Sequence, residues 1–223
     1  MSARADTITF NLVQNATDSI VRAVELMAWE EMTDEGARLK QAILSIGHAV
    51  ELLLKERLRQ VHPSLVWEEV DKFPNLDART VGVDRAIHRL RRIGDVELSS
   101  EDIELVKSLR NTRNAIEHFA WTTTRQEANA VVGKALSFAI AFAQTHLSVD
   151  IAYLFKRDDT WQQLFSSSHH FAKAHSARHD ATVNASVQQF LSCEFCNALA
   201  VSHSGGSCAL CGHWNVVDDD VPF

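Results

Sequence analysis

The chain has 223 residues and a formal net charge of −7. That length allows one medium domain with a small appendage. An acidic chain does not attract nucleic acid through its overall field, so binding of RNA or DNA would require a local basic patch. The chain contains 8 glycines and 3 prolines, and this scarcity favours long helices over a turn-rich β fold.

The lengths of the apolar segments indicate where the protein is located. The first residues, MSARADTITF, lack the apolar core of a secretory signal. The most apolar stretch, 135–143, is about half as long as a membrane-spanning helix. We therefore expect a soluble, cytoplasmic protein with no membrane segment.

Two long amphipathic helices are predicted first. Apolar residues recur at three- and four-residue steps, which is the spacing of one buried helix face. This pattern predicts helices over about 7–32 and 34–61, and Pro63 closes the second. The short connection predicts an antiparallel pair. Residues 63–82 are predicted to be irregular.

A short helix and a longer one follow. The short helix covers about 83–93 and ends at Gly94. The longer one begins at Ser99, with Asp102 three residues on in the position of a capping residue. Its apolar periodicity continues to about Trp121.

The fifth predicted helix opens with a capping box formed by Thr124 and Glu127. Beyond it the helical pattern weakens over about 160–187, where Thr160 and Gln163 form another start signal. The chain then changes character, with glycines, cysteines and short β-prone runs that predict a small β region.

The fourth predicted helix carries the sequence LRNTRNAIEHFAW. Arg113 falls within its apolar stripe, and a buried unpaired charge is costly. We therefore expect an acidic partner, either Glu117 at i+4 or Glu51 on the second helix. Asn114 and His118 are also i, i+4 and share the neighbouring face. On its own, this pattern is also typical of an ordinary ion pair beside an exposed histidine.

The segment Arg113–His118 resembles the Arg-Asn-x-x-x-His motif of the HEPN superfamily, and AILSIGHAVELLLKERLRQVHP resembles the long early helix of such domains. The resemblance covers roughly 7–146. It implies an all-α antiparallel helical bundle, and for active members a metal-independent endoribonuclease that works as a homodimer. Other members keep the fold without catalysis. A module that binds a protein partner or a nucleotide is therefore the alternative.

The resemblance also implies roles for the motif residues. Arg113 would bind the scissile phosphate of RNA and stabilise the charge that develops there. His118 would be the general acid or base for attack by the 2′-hydroxyl, and Asn114 would orient His118 or the phosphate. The family's habits suggest a toxin or antiviral defence effector, with a regulatory or antitoxin protein as a partner.

Several basic residues near the motif could form the local basic patch that an acidic chain needs in order to bind nucleic acid. They are Arg85, Arg89, Arg91, Arg92, Lys107 and Arg110. Acidic residues interleave with them, so a solvated charged face is an equally good interpretation.

The four cysteines form the pattern Cys193-x-x-Cys196, eleven residues, then Cys208-x-x-Cys211. Four thiolates at this spacing can close a tetrahedral Zn²⁺ site, and a closed site is structural. A disulfide pair is disfavoured in a reducing compartment. Trp214, beside the second knuckle, could be a packing residue or a stacking platform, and we expect it to be a packing residue.

The predicted organisation is a HEPN-like helical domain over 1–155, a helical extension over 156–190 and a zinc ribbon over 191–223. His175 and His179 in the extension are i, i+4 and could bind a metal together. No carboxylate matches them, so a polar, exposed helix face is the preferred interpretation.

Overall fold

Helices make up most of the protein. The computed structural model describes residues 8–29, 34–155, 159–183, 190–202 and 204–216. Its helices are α1 (Leu12–Ala28), α2 (Glu35–Val61), α3 (Val83–Arg92), α4 (Ser100–His118), α5 (Arg125–Leu147), α6 (Thr160–Ser167) and α7 (His169–Thr182), with short 3-10 turns at Pro63–Val66, Val70–Lys72 and Ala152–Leu154.

Two short antiparallel strand pairs lie at the C-terminal end and carry the cysteines. Strand β1 (Phe190–Ser192) pairs with β2 (Leu199–Ser202), and β3 (Gly206–Ser207) pairs with β4 (Trp214–Asn215). This confirms the predicted fold class, a helical bundle followed by a small β region. We call the segment from β1 to β4 the ribbon.

Helix α2 lies at the centre of the bundle. It packs against α1, α3, α4 and α5, so apolar side chains on several of its faces are fully buried, among them Ile46, Leu53 and Leu54. The interior of the bundle is therefore built around one long helix, and side chains of α2 meet those of α4 over part of its length.

The predicted start of α4 is confirmed, but its predicted end is wrong. The Ser99 hydroxyl accepts a hydrogen bond from the N–H of Asp102 at 3.0 Å, as a helix cap does. The helix ends at His118 rather than near Trp121, because Phe119 adopts an extended backbone. His118 is thereby the last helical residue. The capping box at Thr124 is present as predicted.

The weak helical pattern after residue 160 resolves into two helices. The Ser168 hydroxyl accepts from the N–H of Phe171, so Ser168 separates α6 from α7 and caps the second. Thr160 is the first residue of α6 and not its cap, a position that Asp159 occupies. Trp161 is buried beneath the ribbon, where its ring meets that of Phe171 edge-on.

Helices α5 and α7 cross at very close range. A side chain at Gly133 would place its Cβ 2.6 Å from the backbone nitrogen of Phe171, so only glycine allows this approach. By length and composition alone α5 could cross a membrane, but 61% of its apolar window is buried within the fold. Burial of that kind is typical of a core helix.

The ribbon is attached to α6 and α7 by polar contacts. Three hydrogen bonds of 2.7, 2.9 and 2.9 Å join them: from the Trp161 indole to the carbonyl of Leu210, from the Ser176 hydroxyl to the carbonyl of Cys196, and from the N–H of Leu199 to the Asp180 carboxylate. The ribbon therefore has a fixed orientation on the helices.

Candidate functional site

Arg113 lies between two carboxylates from different helices. Its Nε donates to Glu117 Oε1 at 3.0 Å along α4, and its Nη1 donates to Glu51 Oε2 at 3.0 Å across to α2. The Arg113 side chain is 25% exposed. Both predicted partners are confirmed, and the pairing explains how a charge is accommodated on the packed side of α4.

Glu51 extends the ion pair along α2. It also accepts a hydrogen bond from Lys55 Nζ at 2.6 Å, and Lys55 donates in turn to the Thr80 hydroxyl at 2.9 Å. We call Glu51, Lys55, Arg113 and Glu117 the Arg113 cluster. It contains two cations and two carboxylates, so its formal charge is balanced within the chain.

His48 adjoins the Arg113 cluster and was not predicted to be part of the site. Its Nδ1 lies 3.1 Å from the Ser19 hydroxyl. Burial of part of the ring lowers the pKa of His48, and the positive charge of Arg113 lowers it further. The sequence signal was its position one turn before Glu51 on α2, a spacing that places the two side chains on neighbouring faces.

A glycine on α2 makes room for the arginine. A Cβ at Gly47 would lie 3.2 Å from Arg113 Cδ. Glycine inside a helix costs about 1 kcal/mol relative to alanine, and the close passage of the Arg113 side chain accounts for its presence here.

The structure places the other motif residues on the outer side of α4. Asn114 is exposed and lines, together with Arg113 and Glu51, a cavity of about 220 Å³. His118 is exposed at the last residue of the helix, outside the lining of that cavity. Arg113 and Asn114 are therefore brought together, while His118 lies one turn beyond Asn114.

The predicted basic residues divide into two groups. Arg89 is structural, since its guanidinium donates to the carbonyls of Leu65, Trp67 and Glu68, and Arg85 pairs with Glu68. The others line one cavity of about 770 Å³ between α3 and α4, whose lining is Asp84, Ile87, His88, Arg91, Arg92, Ile103, Lys107 and Arg110. We call this cavity the α3–α4 groove.

The four cysteines form a compact cluster. Their Sγ atoms all lie within 4.8 Å of one another, and all four residues are buried. The Sγ atoms of Cys193 and Cys211 are 3.6 Å apart and those of Cys196 and Cys208 are 3.8 Å apart. A tetrahedral Zn²⁺ with bonds of about 2.3 Å to sulfur requires edges of about 3.8 Å, and these two separations match that length.

Each pair of cysteines sits in a similar turn. Asn197 and Gly212 follow the second cysteine of each pair and have positive φ angles of 60° and 79°. These turns direct backbone N–H groups at the sulfurs: that of Phe195 at Cys193 (3.4 Å) and that of His213 at Cys211 (3.5 Å). Such bonds stabilise thiolates. The glycine was visible in the sequence as a turn signal, whereas the left-handed asparagine was not.

Four sulfurs this close cannot all ionise without a cation. The hydrogen bond shared with Cys208 raises the pKa of the Cys196 thiol to about 12. The bonds from Cys196 and Cys211 hold the pKa of Cys208 well below its ordinary value. The shared hydrogen bonds thus move the pKa values of these two thiols in opposite directions, and a divalent ion bound by the four sulfurs would replace their protons.

Two further predictions about this end of the chain are wrong. His175 is not on a polar, exposed face: it is buried, and its ring stacks on Phe171 with 5.0 Å between centroids. Trp214 is not a packing residue, since it is 69% exposed. Among the described residues, the cysteines are the group of three or more potential ligands close enough to hold a metal ion.

Comparison with known proteins gives no relative from which to transfer a function. Protein-family models, curated proteins and solved structures were each searched, and none matches this chain.

Proposed function

We propose that the protein is a metal-independent endoribonuclease of the HEPN type, with Arg113, Asn114 and His118 at its active site. The observation that carries the proposal is the setting of Arg113. Its guanidinium is fixed by Glu51 and Glu117, while its remaining N–H donors are left for a ligand. Asn114 lies beside it and His118 one turn further along the same helix.

The chemistry follows from these side chains. The 2′-hydroxyl of RNA attacks the adjacent phosphorus and the bond to the 5′ oxygen breaks, leaving a 2′,3′-cyclic phosphate and a 5′-hydroxyl. Arg113 stabilises the charge on the non-bridging oxygens. His118 either accepts the proton of the attacking hydroxyl or gives one to the leaving oxygen. Asn114 orients the phosphate by hydrogen bonding.

A homodimer would complete this machinery. The reaction needs one proton acceptor and one donor, and the motif supplies one histidine. A two-fold axis beside the end of α4 would bring in a second copy of His118. Phe119, directly after it, is 77% exposed, which provides apolar surface for such a contact. A defence role and a regulatory partner remain predictions from the resemblance.

We propose Zn²⁺ as the ion of the cysteine cluster, held by Cys193, Cys196, Cys208 and Cys211. A site with four protein thiolates has no open position for a substrate. The ion would therefore hold the ribbon together and take no part in RNA cleavage.

The second candidate function is a non-catalytic module that binds a protein partner or a nucleotide. The balanced charge of the Arg113 cluster favours it, because an arginine already paired with Glu51 and Glu117 can serve the fold alone. This candidate predicts no RNA turnover and no effect of substitutions at His118.

The deciding experiment incubates purified protein with transfer RNA in EDTA, and again with zinc restored. We expect cleavage that leaves cyclic-phosphate ends. His118→Ala should lower the rate by about 100-fold or more with an unchanged thermal unfolding curve, while the matched control His62→Ala, another exposed histidine, keeps the native rate. Native-like cleavage by His118→Ala would refute the assignment. No cleavage by the native protein in either buffer would favour the binding module.

A further inference from the structure

The α3–α4 groove gathers positive charge on a protein whose net charge is −7. Its lining includes four basic residues, Arg91, Arg92, Lys107 and Arg110, and one acidic residue, Asp84. Arg110 pairs with Asp84. The other three cations have no carboxylate within 4.0 Å in the part of the chain that the structure describes.

Several cationic side chains elsewhere in the bundle have hydrogen-bonding or ion-pair partners. Arg113 pairs with two carboxylates, Arg178 pairs with Asp102, and Arg57 donates to the carbonyl of Gly94. Those cations hold parts of the fold together. Arg91, Arg92 and Lys107 make no comparable contacts among the described residues, so these three cations remain available to an anionic ligand.

The groove leads along α4 towards the motif. Lys107, Arg110, Asn114 and His118 follow one another at steps of three or four residues, so they lie on one stripe of the helix. The stripe is about 16 Å long. Arg110 and Asn114 also line the small cavity beside Arg113, which joins the groove to the proposed active site.

Three of the acidic residues of α4 line a different cavity. Glu101, Asp102 and Glu104 line a separate cavity towards α5 and α7. These three carboxylates therefore lie outside the groove, whereas Asp84 lines the groove and Glu117 pairs with Arg113 beside the stripe.

We propose that the α3–α4 groove binds the phosphodiester backbone of a single RNA strand and guides it along α4 to His118. The identity of the strand as RNA rests on the proposed function. The cations favour a ligand with repeated phosphates. Guanidinium and ammonium groups without partners bind phosphate oxygens, and such contacts confer no sequence preference.

The test measures binding separately from cleavage. A fluorescently labelled single-stranded RNA is titrated into the His118→Ala chain, which keeps it intact, at 50 and 200 mM salt. The groove variant adds Arg92→Gln and Lys107→Gln. The matched control adds Lys40→Gln and Lys173→Gln, which remove the same charge from exposed lysines outside the groove.

Loss of two phosphate contacts should lower the slope of log K against log salt by about 1.4. Raising the salt from 50 to 200 mM would then weaken the groove variant about sevenfold less than the parent, and the control should match the parent. Equal salt slopes for the groove variant and the control would overturn the inference, as would the absence of binding by the parent at 50 mM salt. Equally tight, groove-dependent binding of duplex DNA would also overturn it.

Failure of this inference can be told apart from failure of the proposed function. If the native protein cleaves RNA and the groove variant binds RNA as the parent does, the proposed function holds and the inference about the groove is wrong. If RNA binding depends on the groove but the native protein cleaves no RNA, the groove binds RNA and the proposed nuclease function is wrong.

Discussion

The cysteine cluster and the Arg113 cluster hold their charges in opposite ways. In the ribbon, four buried thiols, which become anions when they ionise, lie within 4.8 Å of one another. In the bundle, Arg113 and Lys55 face Glu51 and Glu117, so the charges cancel. A bound cation would balance the first arrangement, whereas the second is balanced within the chain.

This difference predicts how strongly each site is destabilised when one of its members is removed. If the proposed ion were removed, the cysteines would be held by strands that are two to four residues long. Removing one member of the Arg113 cluster leaves its partners on helices that are anchored by apolar packing. We expect large, local effects in the ribbon and smaller effects in the bundle.

The largest effect is expected from Cys196→Ser. Structural zinc contributes about 10–16 kcal/mol of apparent binding free energy in small zinc domains, so loss of one thiolate should empty the site and unfold the ribbon. Elemental analysis should fall from one zinc per native chain to nearly none, and hydrogen exchange should quicken from β1 to β4. Unchanged zinc content would show that the cysteines are not the ligands.

A smaller effect is expected from Glu51→Gln, because the change leaves Arg113 and Lys55 without their shared negative charge. The site is about a quarter exposed, so we expect a loss of about 1–2 kcal/mol in the free energy of unfolding. Urea denaturation measures it.

The exposed pair of Arg22 and Glu25 supplies the matched control. Glu25→Gln should change the free energy of unfolding by less than about 0.5 kcal/mol. Equal losses for the two variants would mean that the Arg113 cluster behaves as an ordinary surface pair.

The smallest effect is expected from His48→Gln and appears in the pH dependence. The lowered pKa of His48 means that the folded state binds fewer protons than the unfolded chain just below pH 6.5. Its contribution to stability is therefore present above pH 6.5 and is lost as the pH falls through the folded pKa. His48→Gln should reduce the change of melting temperature with pH in that window, relative to the control His88→Gln. A parallel profile for both variants would contradict this.

Features set by neighbouring residues could be predicted from the sequence. The caps at Ser99 and Thr124 and the spacing of the cysteines depend on groups within a few residues of one another, and the structure contains them. The pairing of Arg113 with Glu117 belongs to the same class, because one helical turn separates the two residues.

Features that depend on packing between helices could not be predicted. His48 lies near Arg113 because α2 packs against α4, which the spacing of residues along α2 does not encode. The burial of His175 follows from the aromatic side chains of α6 that surround it. The early end of α4 at His118 was missed because apolar periodicity continues past it, whereas the backbone does not.

The crossing at Gly133 has a consequence for how the molecule melts. Because α5 meets the backbone of α7 with no intervening side chain at Gly133, disorder in one of these two helices exposes apolar surface of the other. Such linkage favours a single cooperative transition over stepwise melting. Gly133→Ala, acting as a wedge between α5 and α7, would be expected to divide one calorimetric peak into two.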